Sequence, residues 1–204
     1  EAVEEAAKSP QSKSRLIVFL ILSTVGGATV SSVIGFIALY LVDTFGIMEE
    51  KAAGFIAIIF SAGLWASPLA GSISDKIGKI PLMIVVSLII GPVIFLLTLV
   101  PMGIPFYILL LLIGVFLFVR MPVSESFILA EAPRKIQPTV LGIYFFGSSL
   151  GGGMLTPLMG VLVDHFTFKQ SFQYAGIFLF LLALGCTLSI MLLSKKMRTA
   201  AAEL

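Results

Sequence analysis

One long apolar segment, at positions 104–130, carries residues with chemically capable side chains: Arg120, Ser124 and Glu125, with Pro122 between them. The Arg120 guanidinium stays charged and offers five donors in a fixed fork, which suits an anionic or carboxylate-bearing ligand. In a helix Arg120 lies about 4 Å beyond the midpoint of this segment. Inserting arginine there costs about 2.5 to 3.5 kcal/mol, so such residues face a cavity or a partner. We predict a substrate-binding role; a structural ion pair or snorkelling to lipid headgroups is the alternative.

Glu125 lies about 11 Å beyond the midpoint of the same helix. A carboxyl partly removed from water can take up and release a proton near neutral pH, which predicts coupling to a proton gradient; an interfacial carboxylate is the alternative. Pro122 cannot donate to the carbonyl of Phe118, and a freed backbone group at membrane depth needs protein or a water-filled cavity. Together these features predict a substrate or coupling site made of Arg120, Pro122, Ser124 and Glu125.

The first apolar segment, at positions 16–42, is rich in hydroxyl-bearing and small residues. Small residues let membrane helices approach closely, and hydroxyls hydrogen-bond between helices or line a wet pathway. Packing is the first interpretation. The second makes Thr24 and Ser31 candidates for the substrate pathway.

The elements that position these residues follow from composition. The 204 residues are 58% hydrophobic and 12% charged, against about 25% charged in soluble domains. Each apolar segment exceeds the roughly 20 residues that an α-helix needs to cross a bilayer, and an isolated strand would leave its backbone groups unpaired in lipid. We predict an all-α, multi-pass protein of a plasma or inner membrane, whose six transmembrane helices lie at 16–42, 52–74, 80–100, 104–130, 140–163 and 172–193.

Some partners and chemistries are excluded. The net charge of +2 is not gathered into a basic stripe, so no nucleic-acid partner is predicted. Cys186 is the single cysteine, so no thiolate metal cage is predicted, and no cofactor is expected. Gly147-Ser148-Ser149-Leu150-Gly151 matches the G-x-S-x-G pattern of hydrolases. The only histidine, His165, lies roughly 24 Å further along that helix, so no enzyme is predicted.

The lysine and arginine residues predict the orientation. The two tails with the second and fourth connections carry ten of them, and the alternate connections carry only Lys51 and Lys169. Positive charge marks the cytoplasmic side, so both termini are predicted to be cytoplasmic. Four tyrosines near helix ends are predicted to anchor the protein at the membrane interfaces, with a cavity-lining role as the alternative for the last: Tyr40, Tyr107, Tyr174 and Tyr144.

The pattern [ST]-P-L-x-G-x-x-x-D occurs twice, 89 positions apart, at Ser67–Asp75 and Thr156–Asp164. Three helices per copy is an odd number, so the second copy enters the membrane from the opposite side, as in the inverted repeats of secondary transporters. Chance recurrence in small-residue helices is the alternative. The predicted division is a cytoplasmic linker at 1–14, three-helix repeats at 15–103 and 104–195, and a cytoplasmic tail at 196–204.

The polar turn at 71–79 reads Gly71-x-x-x-Asp75-Lys76-x-Gly78-Lys79 and resembles the G-x-x-x-D-[RK]-x-G-[RK]-[RK] loop of the major facilitator superfamily, except at Ile80, where a second basic residue is common. The glycine-rich fifth helix, which ends at Asp164, is similar to the eleventh helix of those transporters. The resemblance covers almost the whole chain and fits the C-terminal six-helix half. It implies that the motif is a cytoplasmic gate whose Asp75 meets a helix N-terminus of the opposite half, where a carboxylate contributes about 0.3 to 1 kcal/mol. A solvated turn is the alternative.

The resemblance implies a secondary active transporter that moves a small solute by symport or antiport, driven by a proton or sodium gradient, through alternating access between two six-helix bundles. An N-terminal half is the expected partner bundle. A half-size transporter that works as a homodimer, and a non-transporting membrane scaffold, are the alternatives.

Overall fold

The computed structural model describes the backbone of residues 10–202 and the side chains of residues 14–193. That part of the chain contains helices and no strands; the helices are α1 (Pro10–Phe45), α2 (Glu49–Ser61), α3 (Gly63–Ile77), α4 (Lys79–Leu97), α5 (Ile104–Glu131), α6 (Gln137–His165) and α7 (Phe168–Ala202). With α2 and α3 taken as one span, six spans are long and apolar enough to cross a membrane. The predicted all-α protein with six transmembrane helices is confirmed.

The outer helices extend beyond the predicted spans. α1 begins at Pro10, inside the predicted linker at 1–14, and α7 continues to Ala202, inside the predicted tail at 196–204. Proline suits a helix start because its missing N–H is one that no helical carbonyl would accept. The rest of the two predicted segments, at 1–9 and 203–204, lies outside the described residues.

The second span is interrupted once, where a continuous helix over 52–74 was predicted. Ala62 separates α2 from α3, yet its φ of −58° and ψ of −28° remain helical. Its carbonyl still accepts hydrogen bonds from the N–H groups of Trp65 and Ala66, at 3.3 and 2.7 Å. The interruption is therefore an irregular helical turn and not a loop.

The stretch at 71–79 is mostly helical, so its interpretation as a polar turn is wrong. α3 continues to Ile77, because Ala70 and Ser74 are buried and keep its last turns packed against the bundle. Within positions 71–79, only Gly78 lies outside a helix. Its φ of +93° is a conformation that glycine adopts without steric cost, and its N–H closes α3 on the Ser74 carbonyl at 2.9 Å.

The helices form one bundle around α1 and α5. α1 packs mainly on α6 and α7, α5 packs on α2, α3 and α4, and α4 packs along α7. One apolar cluster contains Phe106 and Phe172, and a second, nearer the 71–79 end, contains Phe19, Met83 and Phe127. The bundle therefore has an apolar interior, and polar groups inside it need partners.

The prediction of an interfacial anchor is wrong for two of the four tyrosines. Tyr40 is only 1% exposed and packs between Phe45 and Phe172, with ring centroids 5.8 and 5.1 Å away. Tyr144 is also buried. Tyr107 and Tyr174 are exposed, and their interfacial role stays a prediction. Burial of an aromatic residue near a helix end depends on which way the helix is turned, which composition does not specify.

Candidate functional site

Arg120 lies inside the bundle, where α5 meets α1 and α6. It is 8% exposed. Its Nη1 donates to the Tyr144 hydroxyl at 2.9 Å and to the Ser23 carbonyl and hydroxyl oxygens at 3.2 and 3.4 Å. These partners are all neutral oxygens. The charge is therefore held by hydrogen bonds and not by a counter-ion among these partners.

Two serines complete a compact polar cluster around the guanidinium. Ser23 and Ser124 share a hydrogen bond of 2.6 Å between their hydroxyl oxygens, and the Ser23 hydroxyl lies 3.4 Å from that of Tyr144. Both serines are fully buried. We call these four residues, Arg120, Ser23, Ser124 and Tyr144, the Arg120 cluster. It joins α1, α5 and α6 within the membrane-spanning region.

Tyr144 and Ser23 were not among the predicted site residues. The sequence does contain one indication that Tyr144 could reach Arg120, because the two residues lie at similar depths in the membrane. Arg120 lies 11 residues before the end of α5 and Tyr144 lies 7 residues after the start of α6, which differ in depth by about 6 Å at 1.5 Å per residue. An arginine side chain spans such a distance. Depth alone, however, does not indicate that the two side chains face each other.

Gly27 makes room for the guanidinium on α1. A Cβ built on Gly27 would overlap the Cζ, Nε and Nη1 atoms of Arg120. The Nε of Arg120 is buried and has no hydrogen-bond partner among the described residues. A buried donor without an acceptor is costly.

Pro122 does not open the backbone to a cavity. The Phe118 carbonyl, which Pro122 cannot reach with an N–H, accepts a hydrogen bond from the Ser67 hydroxyl at 3.0 Å. In the second copy of the S/T-P pattern, the Thr156 hydroxyl also forms a hydrogen bond to another helix: its oxygen lies 3.1 Å from the Ser32 hydroxyl oxygen on α1. Ser67 and Thr156, which precede the prolines of the two copies, therefore each hydrogen-bond to the first helix of the other predicted repeat, α5 and α1 respectively.

The remaining predicted site residues lie outside the hydrogen-bonded cluster. Glu125 is half-buried on α5 and is not a partner of Arg120. Thr24 is half-buried on α1, where its Cγ2 faces Gly147 of α6, and Ser31 is exposed on α1. The structure thus brings Arg120 and Ser124 together and leaves Glu125, Thr24 and Ser31 on neighbouring faces.

The motif residues lie at one end of the bundle. Gly71, Asp75 and Lys76 are exposed on α3. Lys79 is half-buried, and its Nζ donates to the Ser126 carbonyl of α5 at 2.8 Å. A cavity of about 570 Å³ opens beside them, lined in part by Arg15, Asp75, Lys79 and Glu131. The motif is therefore attached to α5, the helix that carries Arg120.

The described residues contain no group of three or more His, Cys, Asp or Glu side chains placed to hold a metal ion. The Arg120 cluster is suited to other chemistry. Its donors can bind an anion at depth, and its hydroxyls can both donate and accept.

Six membrane-spanning helices around a buried arginine are typical of a multi-pass membrane protein with a polar site at depth, a class to which many transporters belong. The family model of the Major Facilitator Superfamily matches residues 19–203. The chain belongs to the major facilitator superfamily, a family of membrane transporters. No curated protein matches the sequence.

Proposed function

We propose that this chain forms the C-terminal six-helix bundle of a secondary active transporter, which moves a small anionic solute by alternating access. The observation that carries the proposal is the burial of Arg120 among neutral acceptors. Arg120 and Glu125 are the only charged residues between positions 80 and 130. A cation at this depth costs several kcal/mol where an apolar residue would cost nothing, which supports a functional role.

The packing supports the proposed inverted repeat. α1, the first helix of one predicted repeat, packs on the last two helices of the other, and α5 packs on the corresponding helices of the first repeat. Ser67 and Thr156 occupy equivalent positions in the two copies, 89 positions apart, and hydrogen-bond to α5 and α1 respectively. Both arrangements are expected of two copies related by a two-fold axis in the membrane plane.

Alternating access needs a second bundle, because six helices form only one wall of a pathway. We propose an N-terminal half as that partner, with the 71–79 motif as the gate on its cytoplasmic side and both termini cytoplasmic. A second copy of this chain is the alternative. Native mass spectrometry of the full chain in mild detergent distinguishes them: a monomer supports a separate bundle, and a stable dimer supports the half-size transporter.

Ligand binding tests the site. The full chain in detergent should be stabilised against heat by benzoate or inorganic phosphate, because a ligand that binds only the folded state raises its stability. Arg120→Leu should abolish this stabilisation. Arg134→Leu, which removes an exposed cation from a connection, is the matched control and should retain it. Equal stabilisation of all three proteins would contradict the assignment of Arg120 and favour a scaffold or a site elsewhere.

A further inference from the structure

The Tyr144 hydroxyl connects three helices. Tyr144 is 2% exposed on α6. Its oxygen accepts from Arg120 Nη1 of α5 at 2.9 Å and from the Ser23 hydroxyl of α1 at 3.4 Å. The bond from Arg120 Nη1 to the Tyr144 oxygen is shorter than the two bonds from Nη1 to Ser23.

α6 packs closely on α1, but it buries few side chains. Within its described residues only Tyr144 and Met159 are buried. It faces α1 through small residues: Gly147 lies against the Thr24 methyl group and Gly151 lies against Ala28. Small residues allow helices to pack closely without interlocking side chains. Tyr144 is therefore the buried polar side chain that joins α6 to the rest of the cluster.

The guanidinium has more donors than this arrangement uses. Its Nη1 serves both Tyr144 and Ser23, while its buried Nε has no partner in the described structure. Gly27 leaves the space against α1 in which the group lies. A phenol oxygen is a neutral acceptor, whereas a carboxylate or phosphate carries the opposite charge and can accept two parallel bonds from a guanidinium.

We propose that Tyr144 is a positioning residue, which holds Arg120 until a carboxylate or phosphate group of the substrate replaces the phenol and releases α6 from α1 and α5. The proposal rests on the proposed function, in which Arg120 binds the substrate. It adds the chemical group that Arg120 binds, a carboxylate or phosphate, and the helix whose attachment changes when that group binds. No covalent bond forms or breaks in this exchange.

Reaction of Arg120 with phenylglyoxal tests the first half of the proposal. The rate at Arg120 is followed by mass spectrometry on the full chain in detergent. Tyr144→Phe deletes the competing acceptor and should raise this rate about tenfold, since hydrogen bonds to charged groups are worth roughly one to two powers of ten. Tyr40→Phe deletes the hydroxyl of another buried tyrosine, away from the cluster, and should not change it.

Protection by anions separates this proposal from the proposed function. Benzoate and inorganic phosphate should slow the modification in both wild type and Tyr144→Phe, and benzyl alcohol should not. Faster modification with no protection by either anion would overturn both the displacement and the assignment of Arg120 to substrate. An unchanged rate in Tyr144→Phe, with protection retained, would overturn only the role of Tyr144.

Hydrogen–deuterium exchange on the wild-type chain needs no variant and tests the release of α6. Peptides of α6 that contain Tyr144 should exchange several-fold faster when benzoate or phosphate is added, and peptides of α4 should not change. A tyrosine with only a structural role would give no dependence on the anion. Slower or unchanged exchange in α6 would overturn the proposal.

Discussion

The contact between α4 and α7 and the contact between α1 and α6 are built differently. α4 and α7 touch through their backbones: a Cβ on Gly91 would lie 2.6 Å from the Gly176 carbonyl oxygen, and one on Gly176 would lie 2.7 Å from that of Gly91. α1 and α6 touch through small side chains and hydroxyls, with the Arg120 cluster at one level and the Ser32–Thr156 bond at another. The first contact is backbone against backbone; the second combines close packing of small residues with a few hydrogen bonds.

This difference indicates which part of the bundle can move. Eight of the 19 residues of α4 are buried, but only Tyr144 and Met159 of the 29 residues of α6 are. Separating α4 from α7 exposes closely packed backbone, whereas separating α6 from α1 exposes small residues and requires new partners for a few hydroxyls. A transporter needs both a stable frame and a mobile element.

The largest effect on stability is expected at the crossing of α4 and α7. Gly176→Ala forces a methyl group into the Gly91 backbone, and overpacking of this kind should lower the free energy of unfolding by about 3 kcal/mol. Denaturation in SDS titrations measures it. Gly185→Ala, on the same helix with open space around it, is the control and should cost nothing. Equal effects of the two substitutions would show that the crossing is not tight.

A smaller effect is expected from Gly27→Ala, because its methyl group meets the end of a flexible side chain and not backbone. Arg120 must shift and lose bonds to its neutral partners, at a cost of about 1.5 kcal/mol in the free energy of unfolding. The same titration measures this cost. Benzoate binding, followed by thermal stabilisation, should weaken as well. A loss of stability as large as that of Gly176→Ala would remove the distinction between the two contacts.

Ser67→Ala and Thr156→Val compare the two repeated hydroxyls. Ser67→Ala leaves the Phe118 carbonyl without its partner, since Pro122 has no N–H, and should cost about 1 kcal/mol. Thr156→Val should cost about 0.5 kcal/mol, because Ser32 keeps its bond to the Ala28 carbonyl at 2.9 Å. Both values come from unfolding in SDS. A larger cost for Thr156→Val than for Ser67→Ala would mean that the Phe118 carbonyl finds another hydrogen-bond donor in the variant.

The smallest effect on stability is expected for Glu125→Gln, which lies outside both contacts. The substitution removes a proton-binding group and keeps the shape, so the free energy of unfolding should change by less than about 0.5 kcal/mol. If Glu125 carries the coupling proton, uptake by vesicles that contain the complete transporter should lose its dependence on pH. Uptake with an unchanged pH dependence would eliminate Glu125 as the coupling residue.

The spans could be predicted from the sequence, and so could two of the four residues of the Arg120 cluster. Arg120 and Ser124 were predicted from their types and depth, and they lie together in the structure. Tyr144 was assigned to the interface because aromatic residues near helix ends usually lie there. Ser23 is one of the small residues of the first apolar segment, for which helix packing is the first interpretation. Both assignments depend on how the helix is rotated about its axis, and a helix surrounded by lipid on one side and apolar core on the other shows little periodicity to reveal that rotation.

The sequence by itself determined the number of spans, their approximate limits and the residues that are expensive at membrane depth. Backbone groups in lipid must bond within their own helix, so about 20 apolar residues already specify a span without any distant contact. Only the tertiary structure decided that Arg120 meets Ser23, 97 positions away, and Tyr144, 24 positions away. Such contacts depend on how each helix is rotated and how the helices cross. Both arise from the packing of all the spans together, so the sequence of one segment does not determine them.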